Sequence, residues 1–162
     1  MRRGRRCLSK PIDINTAFSS GGADAVEFYC ALFENAKVHG MYRHPGGGPL
    51  PAGALLHGSF EIDGQGFMAM DGGDHFKFAE GISILVNAET QDEIDRLWDA
   101  LTADGGEPGR CGWLKDRWGV SWQIVPPVLG QLLGGPDRLR SSRVMQAMLK
   151  MDKLIIADLE SA

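Results

Sequence analysis

The feature that most constrains the fold of this chain is a pattern that occurs twice along it. In each half, a short apolar strand is followed by an amphipathic helix and then by extended segments in which apolar and polar residues alternate. Neither half can bury the apolar face of its sheet alone, so we expect the two halves to pair. The pattern predicts an α+β fold in which two βαβββ modules form a curved, cleft-bearing sheet.

The first module is predicted to span residues 12–71. Its first strand is expected over residues 12–18, and apolar residues at helical spacing predict a helix over residues 23–34. Three further strands are predicted over residues 37–43, 55–63 and 65–71. The last two strands are joined at Asp63-Gly64, a dipeptide that is typical of tight hairpin turns.

The second module is predicted to span residues 80–126. Thr90 and Glu93 match a capping box at the start of its helix, and Gly105-Gly106 is expected to end that helix. The apolar stripe of the helix consists of Ile94, Leu97, Trp98 and Leu101. A tryptophan-rich hairpin follows, with strands over residues 111–114 and 120–125 and polar turn chemistry between them. Helices over residues 128–162 are interpreted as packing or dimer-forming extensions.

Size, charge and cysteine content narrow the class of protein. With 162 residues, the chain is expected to form a single domain over residues 23–162, preceded by a basic tail and the first strand in residues 1–22. The formal net charge is -4 and the arginines of the tail have no second basic stripe, which argues against nucleic-acid binding. No apolar run is long enough to cross a membrane. Three widely spaced cysteines, Cys7, Cys30 and Cys111, fit a reduced, cytoplasmic setting.

Nucleophilic catalysis by cysteine has little support in the sequence. Cys30 lies in the first predicted helix, and Cys111 is expected to open a strand of the hairpin. Neither cysteine has a histidine at a recognisable motif spacing, so both are interpreted as packing residues.

Several short motifs carry a family resemblance that extends from about Ala23 to the C-terminus. They are Ala25-Val-Glu-Phe-Tyr29, Phe60-Glu-Ile-Asp-Gly-Gln65, Gly72-Gly73 with Phe76-Lys-Phe78, Cys111-Gly-Trp-Leu-Lys-Asp-Arg117, Ser121-Trp-Gln-Ile-Val-Pro126 and Val144-Met-Gln-Ala-Met148. As a set they resemble the PhnB-like group of the vicinal-oxygen-chelate superfamily, a group often labelled 3-demethylubiquinone methyltransferase. The superfamily includes glyoxalase I, extradiol dioxygenases and bleomycin-resistance proteins. The first 22 residues depart from the group, and Asp71 stands where the group more often has asparagine.

The resemblance implies where metal ligands would lie. Metal-dependent members of the superfamily bind a divalent cation through His and Glu side chains. The glutamate position of the last strand corresponds here to Gln123, and the histidine position of the second half aligns near Ser83. A neutral amide is a much poorer ligand than a carboxylate for such cations. We therefore expect no metal ion at these positions and no cofactor.

Two other chemical interpretations are weaker. Asp71-Gly-Gly-Asp-His75 brings two carboxylates and an imidazole together, but its glycines favour a solvated turn over a metal site. A methyltransferase that uses S-adenosylmethionine normally needs a doubly wound sheet with a glycine-rich turn between strand and helix. Because Gly64-Gln-Gly66 lies in a predicted hairpin instead, we reject that chemistry.

The leading hypothesis is a homodimer that binds a small, partly aromatic or amphipathic molecule in the cleft without a metal ion. Ser121 and Gln123 share one strand face and are expected to offer hydrogen bonds to the ligand, with Trp122 pointing the other way. The remaining predicted ligand-binding residues are Ser83, Asp71, Trp113, Phe76 and Phe78, of which the three aromatic residues would form apolar walls.

Two alternatives stay open. One is a divalent-metal-dependent lyase or dioxygenase of the glyoxalase type, in which the metal ion polarises two neighbouring substrate oxygens. It would require unorthodox ligands such as Asp71, His75 or His57. The other alternative is a dimeric scaffold with an interaction role only.

Overall fold

The computed structural model describes residues 12–162, so the arginine-rich start and Cys7 lie outside the described residues. The chain divides into two compact units, Met1–Phe76 (unit 1) and Lys77–Ala162 (unit 2). Each unit contains its own four-stranded sheet with parallel and antiparallel pairs. The prediction of an α+β fold with two βαβββ modules is confirmed, and their pairing around one cleft stays a prediction.

Unit 1 contains four strands and one helix. They are β1 (Ile14–Phe18), α1 (Gly22–Leu32), β2 (Ala36–Arg43), β3 (Leu55–Ile62) and β4 (Gln65–Asp71). The strand order is β1-β4-β3-β2, with β1 parallel to β4 and the other pairs antiparallel. The predicted hairpin turn is confirmed, because Asp63 and Gly64 have φ values of 48° and 79°. Two successive positive φ values are what a tight turn between twisted strands requires.

The core of unit 1 lies between α1 and one face of its sheet. Ala25 and Val26 of α1 are fully buried, and Phe60 and Phe67 of the sheet are stacked with their ring centroids 5.1 Å apart. The helix begins at Gly22, where the backbone lies close to the sheet residue Asp71. A Cβ added to Gly22 would lie 2.8 Å from a carboxylate oxygen of Asp71, so this position has room for glycine only.

Unit 2 repeats the topology of unit 1. Its elements are β5 (Ile84–Asn87), α2 (Gln91–Thr102), β6 (Glu107–Pro108), β7 (Trp113–Lys115) and β8 (Ser121–Val125). The strand order is β5-β8-β7-β6, and β5 runs parallel to β8. The same strand order in both sheets is the structural counterpart of the pattern that occurs twice in the sequence.

The predicted cap and buried stripe of α2 are both present, with the Glu93 carboxylate bonded to the amide one residue before the N-cap Thr90. The Thr90 hydroxyl accepts a hydrogen bond from the Glu93 amide at 3.2 Å, and the Glu93 carboxylate accepts one from the Glu89 amide at 3.0 Å. All four residues of the stripe are buried: Ile94, Leu97, Trp98 and Leu101. The helix ends at Thr102, earlier than expected, and a 3₁₀ turn then continues to Gly105, which has a φ of 104°.

The prediction that Cys111 opens a strand is wrong. Cys111 and Gly112 have φ values of 57° and 85°, which lie outside the extended region, and β7 begins only at Trp113. Their amides instead donate to the carbonyl groups of Met151 and Asp152, at 2.8 and 2.7 Å. These distant carbonyl groups hold the backbone in a turn, so that Cys111 joins the hairpin to the C-terminal segment.

Three C-terminal helices complete unit 2: α3 (Pro127–Gly134), α4 (Arg138–Met148) and α5 (Ile156–Glu160). They share a cluster of buried residues, namely Leu129, Val144, Leu154 and Leu159. The side chain of Gln91 in α2 donates to the Leu154 carbonyl group and accepts from the Ile156 amide. The predicted packing role is confirmed, and the dimer-forming role stays a prediction. Within residues 12–162, no helix has the length and apolar character needed to cross a membrane.

Candidate functional site

A buried aspartate fixes the tryptophan-rich hairpin of unit 2. Asp116 follows β7 and is 3% exposed. One of its oxygens accepts hydrogen bonds from the amides of Trp118 and Val120, both at 3.0 Å. The other oxygen accepts from Nε1 of Trp122 at 2.8 Å. Gly119, with a φ of 86°, closes this turn as predicted.

Asp116 was not among the residues that sequence reasoning selected. The available signal was its place in an Asp-x-x-Gly turn ending at Gly119. An aspartate at the start of a turn commonly accepts from amides two or more residues ahead. The bond to Trp122 is tertiary, so the turn pattern alone does not indicate it.

The anchored hairpin determines which side chains of β8 face away from the helix. Trp122 and Ile124 are fully buried on the face where α2 packs. Ser121 and Gln123 alternate with them and therefore point to the opposite face of the sheet, called here the open face. On that face Gln123 is partly buried and Ser121 is only 5% exposed. The predicted orientation of these residues agrees with this register.

The open face combines apolar and polar side chains. Gln123 pairs with Trp113 of β7 on one side and with Leu85 of β5 on the other, so the three side chains form one row across the sheet. Trp113 is 37% exposed and Leu85 is 49% exposed. Lys115 and Ser121 form the neighbouring row. Exposed large apolar groups beside hydrogen-bonding groups are the usual composition of a small-molecule site.

Ser83 and Gln123 are in direct contact. Nε2 of Gln123 donates to the Ser83 hydroxyl oxygen at 2.7 Å, in a partly buried position. Within residues 12–162, the carbonyl oxygen of Gln123 accepts no hydrogen bond. The pair therefore presents a free hydroxyl donor and a free carbonyl acceptor. The two residues that the resemblance associated with metal-ligand positions are thus brought together by the structure.

A cavity of about 400 Å³ lies in unit 2 beside the same face. Its lining includes Glu80, Glu107, Pro108, Trp113, Lys115 and Ser121. Trp113 and Ser121 were predicted from the sequence, whereas Glu80, Glu107 and Lys115 were not. Glutamate and lysine side chains are so common on surfaces that no pattern in the sequence distinguishes these three.

Two of the residues that line the cavity form an ion pair. Nζ of Lys115 lies 2.6 Å from a carboxylate oxygen of Glu80. Its hydrogen bond, and then its charge, lower the pKa of Glu80. The same hydrogen bond and the negative charge of Glu80 raise the pKa of Lys115, and the charge of Glu107 also raises it. Lys115 is therefore a cation at neutral pH.

Three other residues that were predicted to bind the ligand belong neither to the Gln123–Ser83 pair nor to the cavity lining. Phe78 belongs to unit 2 but lies near the turn at Gly119 and does not line the cavity. Asp71 and Phe76 belong to unit 1. Phe76 is half exposed and packs next to Gly72.

Asp71 has a structural position in unit 1. It is 5% exposed, and its two carboxylate oxygens accept hydrogen bonds from the amides of Gly22 and Leu55, at 2.8 and 2.7 Å. The interpretation of residues 71–75 as a solvated turn is therefore wrong for Asp71. It holds for Asp74 and His75, which are exposed and follow Gly73, whose φ is 69°.

The donor groups do not fit a divalent cation. At the positions that the resemblance implies, Ser83 and Gln123 offer a hydroxyl and an amide, which bond to each other. Across the described chain, no three His, Cys, Asp or Glu side chains come close enough together to hold a metal ion. His57, an unorthodox candidate, lies in an exposed position with its ring 6.2 Å from that of Tyr42.

The two cysteines of the described region are free and half buried. Burial raises the pKa of the Cys30 thiol. A raised pKa disfavours the thiolate, which is the nucleophilic form. The position of Cys30 therefore agrees with the packing role expected from its place in a helix.

Comparison with known proteins gives a consistent family likeness. The model of the family described as 3-demethylubiquinone-9 3-methyltransferase matches residues 12–125. The solved structure of the PhnB protein from Bacillus cereus, which is described by the same activity, is 30% identical with a TM-score of 0.65. The match covers 72% of this chain and 99% of that protein. No protein of curated function matches the chain.

Two more distant structures share the fold. Protein PA1353 from Pseudomonas aeruginosa is 23% identical with a TM-score of 0.60, and the match covers 73% of this chain and 98% of that one. The fosfomycin resistance protein FosX from Listeria monocytogenes, in complex with Mn(II) and sulfate, is 17% identical with a TM-score of 0.54. That match covers 72% of this chain and 91% of FosX.

Proposed function

The chain belongs to the PhnB-like family described as 3-demethylubiquinone-9 3-methyltransferase, within the vicinal-oxygen-chelate superfamily, and on this premise we propose that it binds a small molecule without a metal ion. The ligand is an amphipathic, partly aromatic molecule that lies on the open face of the unit 2 sheet. The observation that carries the proposal is the hydrogen bond between Gln123 and Ser83. It supports the proposal because it joins two neutral side chains at the positions that the resemblance associates with metal ligands.

The surroundings of this pair support a role in binding. Trp113 and Leu85 flank Gln123 with exposed apolar surface. Trp113 also lines a cavity whose volume is typical of small-molecule pockets, although Gln123 and Ser83 are not part of the cavity lining. Gln123 can accept a hydrogen bond from the ligand and Ser83 can donate one. The apolar part of the ligand would then cover the indole of Trp113.

Two chemistries suggested by relatives lack support in the site. The mixed four-stranded sheets of this chain are not the doubly wound sheet on which S-adenosylmethionine enzymes are normally built. FosX is described in complex with Mn(II), but Ser83 and Gln123 contribute neither a carboxylate nor an imidazole for such an ion.

The proposal extends to assembly and location. A homodimer is supported by exposed apolar side chains on the C-terminal helices, where Leu139 is 76% exposed and Leu149, directly after α4, is 52% exposed. A cytoplasmic location is supported by the free state of Cys30 and Cys111. Light scattering at two protein concentrations measures the assembly directly, and a monomer at both would contradict the dimer.

Titration with the neutral aromatic dye N-phenyl-1-naphthylamine tests the site. Replacing Gln123 with Ala removes the carbonyl acceptor and should weaken dye binding by about two- to tenfold, the effect of one hydrogen bond. Gln123 is only partly buried, so the melting temperature should fall by no more than about 2 °C. The matched control is Gln146→Ala, an exposed position on α4. A large fall in melting temperature with unchanged dye affinity would refute the assignment.

A further inference from the structure

The ionisable side chains that line the unit 2 cavity carry a net negative charge. Its lining contains the carboxylates of Glu80 and Glu107 and the ammonium group of Lys115. Lys115 is already paired with Glu80 at 2.6 Å, so its charge is largely compensated. The Glu107 carboxylate forms no hydrogen bond or close ion pair with any residue in 12–162, although its charge acts on Lys115 at longer range. The formal charge of these three groups is therefore negative by one unit.

The strand pairing places the unpaired carboxylate on the open face. Glu107 of β6 pairs with Lys115 of β7, and Lys115 pairs with Ser121 of β8. Residues paired across neighbouring strands project to the same side of a sheet. Glu107, Lys115 and Ser121 therefore form one row across the sheet, with Glu107 at its edge. The Glu107 side chain faces the cavity.

An aromatic wall lies beside the two carboxylates. Trp113 also lines the cavity, and more than a third of its surface is exposed. The face of an indole ring attracts ammonium and guanidinium groups that come within about 6 Å of its centroid. Arg117 occupies such a position over Trp118, at 4.6 Å, whereas no cation of the described chain lies over Trp113.

We propose that this cavity selects a small organic cation, an amine or guanidinium compound that carries an aromatic or apolar group. The cationic group lies between the Glu107 carboxylate and one part of the Trp113 ring face. The apolar group covers the rest of the indole surface. A volume of about 400 Å³ accommodates one such molecule. This inference rests on the proposed binding function and assigns the charge of its ligand.

Three naphthalene compounds of nearly equal size and different charge test this inference. They are 2-(1-naphthyl)ethylamine, 2-(1-naphthyl)ethanol and 1-naphthylacetate, each measured by displacement of N-phenyl-1-naphthylamine from the full chain. The amine should bind at least about fivefold more tightly than the acetate, and the alcohol should fall between them. Added salt should reduce the preference, because it screens charges at an open site.

Substitution of Glu107 links the preference to one group. Glu107→Gln keeps the size and polarity of the side chain and should reduce the preference for the amine by about two- to fivefold, without weakening the alcohol. Glu89→Gln, an exposed glutamate that does not line the cavity, should leave the preference unchanged.

The outcomes separate the two proposals. If the alcohol binds but the amine and the acetate bind equally, or the acetate binds better, the charge selection is wrong and the binding function stands. If the amine is preferred equally by the Glu107→Gln variant, Glu107 is not the selecting group and the inference fails. If none of the three compounds displaces the dye, or the dye itself does not bind, both proposals are contradicted.

Discussion

At the scale of single residues, two buried aspartates organise the chain without belonging to its binding face. Asp116 accepts three hydrogen bonds within the unit 2 hairpin, and Asp71 accepts two between separate segments of unit 1. Buried carboxylates are stable only when several donors compensate for lost hydration. Both side chains therefore stabilise backbone positions, and only Asp116 lies next to the proposed site.

Replacing Asp116 with Asn should destabilise the chain by about 2–3 kcal/mol, because the amide has one acceptor oxygen and directs an NH₂ group toward buried donors. The measurement is the free energy of unfolding in urea. The matched control is Asp104→Asn, which breaks only the exposed 2.7 Å ion pair with Arg117 and should cost less than about 1 kcal/mol. Equal losses in the two variants would show that the Asp116 bonds do not hold the hairpin.

Sequence reasoning identified residues whose structure depends on near neighbours in the chain. It missed the roles of the two aspartates because some of their hydrogen-bond partners lie farther along the chain. Gly119, and the alternation of Ser121 and Gln123 with Trp122, follow from local turn and strand geometry, so the sequence predicted them correctly. The partners of Asp71 are 49 and 16 residues away. Nothing in its local sequence indicates those amides, and the neighbouring glycines favoured a turn.

At the scale of elements, hydrophobic periodicity predicted the helices and most strands, because each buries one face. The stripe of α2 and the Asp63-Gly64 hairpin agree with the prediction. The error at Cys111 has a different origin. Its backbone conformation is set by carbonyl groups of Met151 and Asp152, which the fold brings close and the sequence separates by 40 residues. Tertiary hydrogen bonds of this kind override local strand preference.

The C-terminal helices are expected to contribute to the stability of unit 2. Val144 of α4 is fully buried in their shared cluster, so Val144→Ala should lower the free energy of unfolding by about 2 kcal/mol. Gln146 lies on the same helix and is exposed, so Gln146→Ala should change stability by no more than about 0.5 kcal/mol. Urea unfolding followed by tryptophan fluorescence measures both. An unaffected Val144→Ala variant would mean that these helices are not part of the cooperative core.

At the scale of the whole molecule, duplication of one βαβββ module accounts for the family and the fold. The two sheets have the same strand order, which is why a pattern repeated in the sequence predicted the two modules. The chemistry of the ligand does not follow from the fold. Binding chemistry depends on a few side chains such as Gln123, Glu107 and Trp113, and one fold supports many such sets. Only their geometry on the open face indicated a charge preference.

We propose that the chain binds its ligand without a metal ion. The most direct test is the melting temperature of the untagged protein in excess chelator and then with Mn²⁺, Ni²⁺, Zn²⁺ or Fe²⁺. A specifically bound ion at about 100 times its Kd would stabilise the fold by about 2.7 kcal/mol, equivalent to several degrees. We expect shifts below about 1 °C in every case. A stabilisation of several degrees by one metal ion, reversed by chelator, would contradict the proposal and favour a metal-dependent enzyme of the glyoxalase type.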